Sequence, residues 1–104
     1  MFGSNNTENK YNTKPDGSKS NVIELSTSDF TDNRVTHKVV KKNYGILKAY
    51  APWCGYCNEM VQDYNNMADA LKSEGISVFA LNYENDKELV KSLGVKGFPS
   101  MFMV

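Results

Sequence analysis

Residues 51–57, which read Ala-Pro-Trp-Cys-Gly-Tyr-Cys, contain the only two cysteines of the chain. They lie where a strand pattern changes into a helical pattern. The mostly apolar residues 46–51 predict a strand, and Pro52 ends it. Beyond Cys57 the apolar residues recur at helical spacings, at Met60, Val61, Tyr64, Met67, Ala68 and Leu71. Cys54 and Cys57 are therefore predicted to lie at the start of a helix.

This spacing of the two cysteines has a chemical consequence. Residues at i and i+3 in a helical turn share one face, and their separation suits a disulfide that opens and closes with little backbone movement. Cys54 would lie at the helix N-terminus, where unpaired N–H groups and the positive end of the dipole stabilise a thiolate. A thiolate is the attacking species in disulfide exchange. We expect Cys54 to be the nucleophile and Cys57, one turn further in, to be the resolving thiol.

The length and the charge of the chain limit the number of domains and the kinds of partner that it can have. A chain of 104 residues predicts one domain, and a formal net charge of zero gives no sign of a surface for nucleic acid or membrane. The sequence has no apolar run long enough to predict a membrane span. Two closely spaced cysteines indicate redox or metal chemistry rather than a structural disulfide framework. We expect no cofactor and no bound metal.

Residues 1–20 differ in composition from the rest of the chain. They are polar and almost without aliphatic side chains, so we predict a disordered polar tail over 1–20 and a folded domain over 21–104. The tail lacks the apolar core of a signal peptide, so a cytoplasmic location is expected. Abundant Asn and Lys are typical of an AT-rich genome, such as that of some protists or of giant DNA viruses.

Strand and helix patterns alternate along residues 21–104. Strands are predicted over 22–25, 46–51, 76–82 and 101–104. Three helices are predicted between them: a short one near Phe30, one that follows Cys57 and ends before Gly75, and one that begins at Asn85 and ends at Gly94. This alternation predicts an α/β sandwich with parallel strand pairs. The stretch from Arg34 to Asn43 is predicted to be a loop or an extra extended segment. It contains His37, which we interpret as a solvated histidine rather than a metal ligand or a general base.

The motif over 51–57 resembles the active-site turn of the thioredoxin superfamily, in the form seen in protein disulfide isomerase a-type domains. The preceding Leu-Lys-Ala-Tyr at 47–50 is similar to the strand that leads into that turn. Gly-Phe-Pro-Ser at 97–100 resembles the cis-proline loop of the family. The resemblance covers roughly residues 22–104. It implies a thioredoxin-like three-layer sandwich, with a central mixed sheet flanked by helices.

The same resemblance implies a function and a set of site residues. The function is thiol–disulfide exchange on protein substrates, with Cys54 and Cys57 as the redox pair and an external reductant or oxidant as partner. Pro99 would be cis and would pack against the pair, beside a groove for an extended substrate chain. The residues that would line the substrate site are Trp53, Gly55, Tyr56, Gly97 and Phe98.

Two departures from the family pattern affect the active site. Lys48 stands where the family has a buried acid beneath the second cysteine, and Ala80 occupies the place of the lysine that often pairs with that acid. Lys48 could favour the thiolate of Cys57, could accept its proton when neutral, or could extend to solvent and take no part. In addition, Tyr56 stands between the cysteines where thioredoxins have proline and isomerases have histidine. The helix start therefore lacks the rigid proline ring, and it lacks the histidine cation that would stabilise the Cys54 thiolate.

A third departure concerns the end of the sequence at Val104. The resemblance implies one more strand and a closing helix, without which the strand over 101–104 has an open edge. Either the chain is a fragment, or a second copy or a partner chain covers that edge.

Two other functions fit the same residues. One is a redox-inactive binding or structural module with the same fold. The other is a glutaredoxin-like iron–sulfur or metal site, since proteins of that kind with Cys-Gly-Tyr-Cys hold a cluster between subunits. Two cysteines and a distant His37 fall short of a complete tetrahedral set of ligands.

Overall fold

The computed structural model describes residues 8–32, 34–35 and 45–104. The predictions for His37 and for most of the stretch between Arg34 and Asn43 lie outside these residues. Among the described residues, no helix is long and apolar enough to cross a membrane.

A four-stranded mixed sheet forms the centre of the fold. Its strands are β1 (Ile23–Leu25), β4 (Gly45–Tyr50), β5 (Ser77–Asn82) and β6 (Ser100–Met103). Their order is β1-β5-β4-β6, in which β5 runs parallel to both of its neighbours and β6 runs antiparallel to β4. The predicted thioredoxin-like sandwich with a mixed sheet is therefore confirmed.

The connection between β1 and β4 contains short elements. One 3-10 turn (Thr27–Asp29) stands in place of the predicted short first helix, and Phe30 after it packs against the core as expected. Two-residue strands, β2 (Phe30–Thr31) and β3 (Arg34–Val35), pair antiparallel to each other. They form a small separate sheet.

Three helices flank the central sheet: α1 (Gly55–Glu59), α2 (Val61–Lys72) and α3 (Lys87–Ser92). The prediction of one continuous helix after the cysteines is wrong, because the chain breaks at Met60. There the amide bonds to the carbonyl of Cys57 at 3.2 Å, three residues back, which tightens the last turn of α1 before α2 begins. Gly75 has a φ of 77°, so it supplies the left-handed backbone that follows α2.

The two faces of the sheet bury separate cores. One core combines side chains of the sheet with α1 and α2, and it contains Cys57, Tyr64 and Ala68. The other lies against α3 and contains Leu47, Phe79 and further apolar residues. The alternation of side chains along each strand assigns Lys48 and Tyr50 to the first face and Leu47 and Ala49 to the second.

The start of β4 requires a residue without a side chain. A Cβ atom on Gly45 would lie 2.9 Å from Cε2 of Phe79 and 3.0 Å from the carbonyl oxygen of Ser77. Both neighbours belong to β5, which pairs with β4 in register over six residues. Gly45 thereby lets the two central strands approach each other closely.

The prediction of a disordered tail over 1–20 is wrong for the described residues 8–20. This segment folds onto the domain, with a bridge between Thr13 and Lys19 and a turn at Gly17, whose φ is 90°. The physical reason is Tyr11, which is 2% exposed and buries a large aromatic ring in the core. Burial of this ring offsets part of the entropy lost when a polar segment becomes ordered.

Polar contacts also fix this N-terminal segment, residues 8–20, to α2. The Lys14 ammonium lies 2.7 Å from Oδ2 of Asp69, and Asn21 just beyond the segment donates to Oδ1 of the same carboxylate. The buried Ser20 hydroxyl donates to Oδ1 of Asn65 at 2.5 Å. The segment is therefore held at several points along α2.

Candidate active site

Cys54 lies at the N-cap position of α1, as the sequence predicts. Its half-buried Sγ accepts a hydrogen bond from the backbone N–H of Cys57 at 3.2 Å. Its thiol also faces the cis-proline loop, since Sγ lies 3.7 Å from the carbonyl oxygen of Phe98. A cap residue that accepts an N–H bond satisfies one of the unpaired donors of the helix.

Cys57 lies one turn further along α1 and is 2% exposed. Burial is the main cause that raises the pKa of its thiol, to about 11, and the hydrogen bond with Cys54 adds to that effect. The charge of Lys48 acts in the opposite direction and lowers the pKa of Cys57. Both cysteines are free thiols in this structure. Exposure and burial thus separate the two thiols in the manner expected for an attacking and a resolving cysteine.

The peptide bond between Phe98 and Pro99 is cis, as the resemblance implies. Pro99 and Ser100 lie partly buried at the start of β6, while Gly97 is exposed. The antiparallel pairing of β6 with β4 brings this loop back to the start of α1. The loop and the two cysteines, which are more than 40 residues apart in sequence, therefore meet at one end of the sheet.

Aromatic side chains lie at the surface beside the two thiols. Trp53 is 50% exposed, and its ring makes an edge contact with Phe98 at a centroid distance of 5.9 Å. The indole N–H of Trp53 donates to the carboxylate of Glu84. Tyr56 is 67% exposed and no ring contact links it to Trp53 or Phe98 within the described part of the chain. The structure thus joins Trp53 to Phe98, and it leaves Tyr56 and Gly55 exposed on α1.

Lys48 lies on β4, on the face of the sheet that buries Cys57, with a side chain that is 0% exposed. The alternative in which it extends to solvent is therefore wrong. Its Nζ donates to the hydroxyl of Tyr11 and lies 4.7 Å and 4.3 Å from the ring centroids of Tyr11 and Tyr64. Burial lowers the pKa of Lys48 to about 8, while the charges of Cys57 and Glu24 act to raise it.

Glu24 is the buried acid of this site, and it lies on β1 rather than on β4. Its Oε2 accepts from the backbone N–H of Tyr11 at 3.0 Å and from the hydroxyl of Tyr50 at 2.6 Å. Its Oε1 is buried and has no hydrogen-bond partner among the described residues. Burial raises the pKa of Glu24, and these hydrogen bonds and the charge of Lys48 oppose the rise.

Two residues of this buried group, Tyr11 and Glu24, were not predicted as site residues. Each carried a signal in the sequence. Glu24 is a lone charged residue within the apolar pattern of β1, and Tyr11 is the one aromatic residue among the polar residues 8–20. A buried charge within a strand calls for a partner on a neighbouring strand of the same face.

The sequence model of the thioredoxin family matches residues 21–104. The chain belongs to the thioredoxin family. Its thioredoxin domain carries Cys54 at the N-cap of α1 and Cys57 within α1.

Curated relatives of this thioredoxin domain include several protein disulfide-isomerases. It is 34% identical over 87 residues to "Protein disulfide-isomerase" of Ricinus communis, a match that covers 80% of this chain and 16% of that protein. It is 36% identical over 81 residues to "Protein disulfide-isomerase A6 homolog" of Drosophila melanogaster, covering 77% of this chain and 17% of that protein. The chain therefore spans less than a fifth of the length of these two relatives.

Solved structures show the same fold. The J-Trx1 fragment of ERdj5 superposes with a TM-score of 0.71 and 21% identity, covering 90% of this chain and 41% of that one. The Trx4 domain of ERdj5 gives a TM-score of 0.66 and 22% identity, and the match covers 81% of this chain and 69% of that one.

The described residues of the thioredoxin domain contain no cluster of three or more His, Cys, Asp or Glu side chains arranged as metal ligands.

Proposed function

We propose that this thioredoxin domain is a thiol–disulfide oxidoreductase that acts on protein substrates. The observation that carries the proposal is the arrangement of the two thiols. Cys54 is accessible at the start of α1 and faces the carbonyl of Phe98, whereas Cys57 is buried one turn behind it. Similarity to protein disulfide-isomerases supports the same assignment.

In the reductive direction, the Cys54 thiolate attacks one sulfur of a substrate disulfide. The substrate S–S bond breaks, the released substrate thiolate takes up a proton, and Cys54 is left in a mixed disulfide. Cys57 then loses its proton and attacks the sulfur of Cys54, which releases the second substrate thiol and forms the Cys54–Cys57 disulfide. Two electrons pass to the substrate, and an external dithiol reductant restores the pair. The reverse sequence oxidises a substrate dithiol.

The resolving step requires a proton acceptor, because burial holds the pKa of Cys57 at about 11. Lys48 is the proposed acceptor. Its pKa of about 8 leaves a fraction of the amine neutral near pH 7, and that amine lies on the face of the sheet that α1 covers. When it is protonated, the same side chain stabilises the thiolate of Cys57.

The proposed substrate site is the surface around the thiols. Trp53, Gly55 and Tyr56 form its α1 side and are exposed. Gly97 and Phe98 form the other side, where the backbone before Pro99 would pair with an extended substrate chain. Such a site recognises backbone and apolar side chains, so it suits unfolded or extended protein segments.

The test is reduction of insulin by dithiothreitol, measured for the wild type and for Cys54→Ser. We expect the wild type to accelerate precipitation of the insulin B chain and Cys54→Ser to give the uncatalysed rate. Cys57→Ser should accumulate a mixed disulfide that is visible on a non-reducing gel. Equal rates for the wild type and Cys54→Ser would contradict the proposal and would favour a redox-inactive binding module.

A further inference from the structure

The N-terminal segment places Tyr11 in the core that contains the resolving thiol. Tyr11 and Cys57 belong to the same buried cluster, in which both are 2% exposed. The ring of Tyr11 makes edge contacts with the rings of Tyr50 and Tyr64 at 5.5 Å and 5.4 Å. These contacts fix the orientation of the Tyr11 ring from two sides.

Tyr11 contacts both buried charged residues of the site. Its hydroxyl accepts a hydrogen bond from Nζ of Lys48, and its backbone N–H donates to Oε2 of Glu24 at 3.0 Å. Lys48 and Glu24 lie on the same face of the sheet, because each pairs in register with Ala80 from opposite sides. Tyr11 therefore lies over the sheet where these two side chains converge.

We propose that Tyr11 is a positioning residue for the resolving step, which holds the Lys48 amine in the orientation that accepts the proton of Cys57. This inference rests on the proposed oxidoreductase function. In that step the S–H bond of Cys57 breaks, its proton passes to the lone pair of the neutral Lys48 amine, and the thiolate attacks Cys54. The departing substrate thiolate is the final proton acceptor, reached from the Lys48 ammonium or through solvent. The hydrogen bond between Nζ of Lys48 and the hydroxyl of Tyr11 holds the amine in place within the core.

The groups that face Lys48 determine how the step depends on pH. They are Tyr11 from the N-terminal segment, Tyr64 from α2, Glu24 from β1, and Cys54 with Cys57 from the start of α1. The neighbouring strands β5 and β6 place uncharged residues, Ala80 and Met101, in register with Lys48. Of these groups, only Tyr11 accepts a hydrogen bond from the Lys48 ammonium among the described contacts.

Removal of the Tyr11 hydroxyl leaves the buried ammonium without that acceptor. The charged form of Lys48 is then disfavoured, so the pKa of Lys48 should fall by about one unit. The lower pKa increases the neutral fraction of Lys48 at pH 7, which by itself would speed the step, but the neutral amine also loses the contact that holds it in place. We expect the loss of positioning to dominate, so the resolving step should become about ten-fold slower at pH 7 and its pH profile should move to lower pH.

The experiment is a stopped-flow reaction of the reduced full chain with 5,5′-dithiobis(2-nitrobenzoate). The first release of thionitrobenzoate reports the attack by Cys54, and the second release reports resolution by Cys57. The variant is Tyr11→Phe. The matched control is Tyr64→Phe, which also loses a hydroxyl from a ring beside Lys48, but one that bonds to the carbonyl of Phe79 at 2.7 Å instead.

We expect Tyr11→Phe to slow the second release relative to the first and to shift its pH profile, whereas Tyr64→Phe keeps the wild-type ratio and profile. A wild-type profile in Tyr11→Phe, or equal changes in both variants, would overturn the positioning role. If Tyr11→Phe does not fold, Lys48→Met is measured instead. A wild-type pH profile for the second release from Lys48→Met would also overturn the positioning role of Tyr11, because that role acts through the Lys48 amine. Absence of any rapid first release from the wild type would instead overturn the proposed function.

Discussion

Glu24 on β1 and Lys48 on β4 lie on the same face of the sheet with one residue of β5, Ala80, between them. The acid and the base of the buried site are thus two strands apart. The hydroxyl of Tyr11 accepts from Lys48, and its backbone N–H donates to Glu24. A charged residue in a core is costly unless it is paired, and here each of the two supplies the opposite charge for the other. This relationship yields the first three predictions.

The first prediction concerns the acidity of the Cys57 thiol. The Lys48 ammonium lowers the pKa of Cys57, so Lys48→Met should raise it. In a Cys54→Ser background, the rate of Cys57 alkylation by iodoacetamide should then reach its midpoint at a higher pH. Lys91→Met, which removes a charge from the exposed part of α3, should leave the midpoint in place. An unchanged midpoint in Lys48→Met would show that the two groups do not interact.

The second prediction concerns the energetic coupling of Glu24 and Lys48. Lys48→Met leaves a buried carboxylate without its cation, and Glu24→Gln leaves a buried ammonium without its anion, so each should destabilise the fold. The double variant removes both charges, so its loss of unfolding free energy should be smaller than the sum of the two single losses, with a coupling energy of about 1 kcal/mol or more. Urea denaturation of the four proteins measures this cycle. Additive losses would contradict the coupling.

The third prediction concerns the dependence of stability on pH. The pKa of Lys48 falls from 10.5 to about 8 on folding, so between these values the unfolded state binds more protons. The free energy of unfolding should therefore gain a contribution that rises with pH from about 8 to 10.5. Cys57 acts in the opposite direction between 9 and about 11, since its pKa rises on folding.

The contribution of Lys48 is isolated by comparison with Lys48→Met. The difference in unfolding free energy, wild type minus variant, should increase as pH rises from about 8 to 10. Denaturant titrations at half-unit intervals of pH measure it. A difference that stays flat or falls across this range would contradict a lowered pKa for Lys48.

The fourth prediction concerns the hydrogen bond between Trp53 and Glu84. This bond is the main cause that lowers the pKa of Glu84, and it fixes the indole that also contacts Phe98. Glu84→Gln weakens the bond and should raise the KM for a protein substrate a few-fold with little change in kcat, because it loosens one wall of the proposed groove. Glu88→Gln, the same change on the exposed side of α3, is the control. Equal KM values for the wild type and Glu84→Gln would exclude this wall from substrate binding.

The fifth prediction concerns the close approach of the two central strands. Gly45→Ala would place a methyl group against Phe79 and against the backbone of Ser77, so it should destabilise the fold by about 1–3 kcal/mol. Gly55→Ala is the control, because a Cβ there meets no atom within 4 Å. Thermal unfolding of both variants tests the difference, and equal stability would show that β4 and β5 can separate without cost.

Local spacing in the sequence predicts well where the chain passes from β4 into α1. The positions of Cys54, Cys57 and Pro99 follow from motifs of a few residues, and the chain order of strands and helices limits how the loops can meet. The break at Met60 escaped prediction because the apolar spacing continues through it. The predicted start of α3 at Asn85 lies two residues before the observed start at Lys87, and the carboxylate of Asp86, the N-cap residue, accepts from the backbone N–H and the hydroxyl of Thr27.

The buried polar group could not be predicted in the same way. Burial of Tyr11 depends on a segment that folds back over residues more than 30 positions away, and composition alone describes that segment as polar. Glu24 stands out in its strand, but its partner is fixed by strand order, in which β5 lies between β1 and β4. Such pairings are properties of the sheet as a whole and not of any single motif.

The packing of residues 8–20 bears on where the domain begins. A boundary taken from family similarity alone lies at residue 21, after the tyrosine that covers the buried charges. A protein trimmed there would keep every motif of the active site and would open a polar cavity the size of a phenol ring beneath Cys57. Water would enter such a cavity and raise the local dielectric, so Lys48 and Glu24 would titrate nearer their ordinary values. The Cys57 thiol of the trimmed protein would then differ in acidity from that of the full chain.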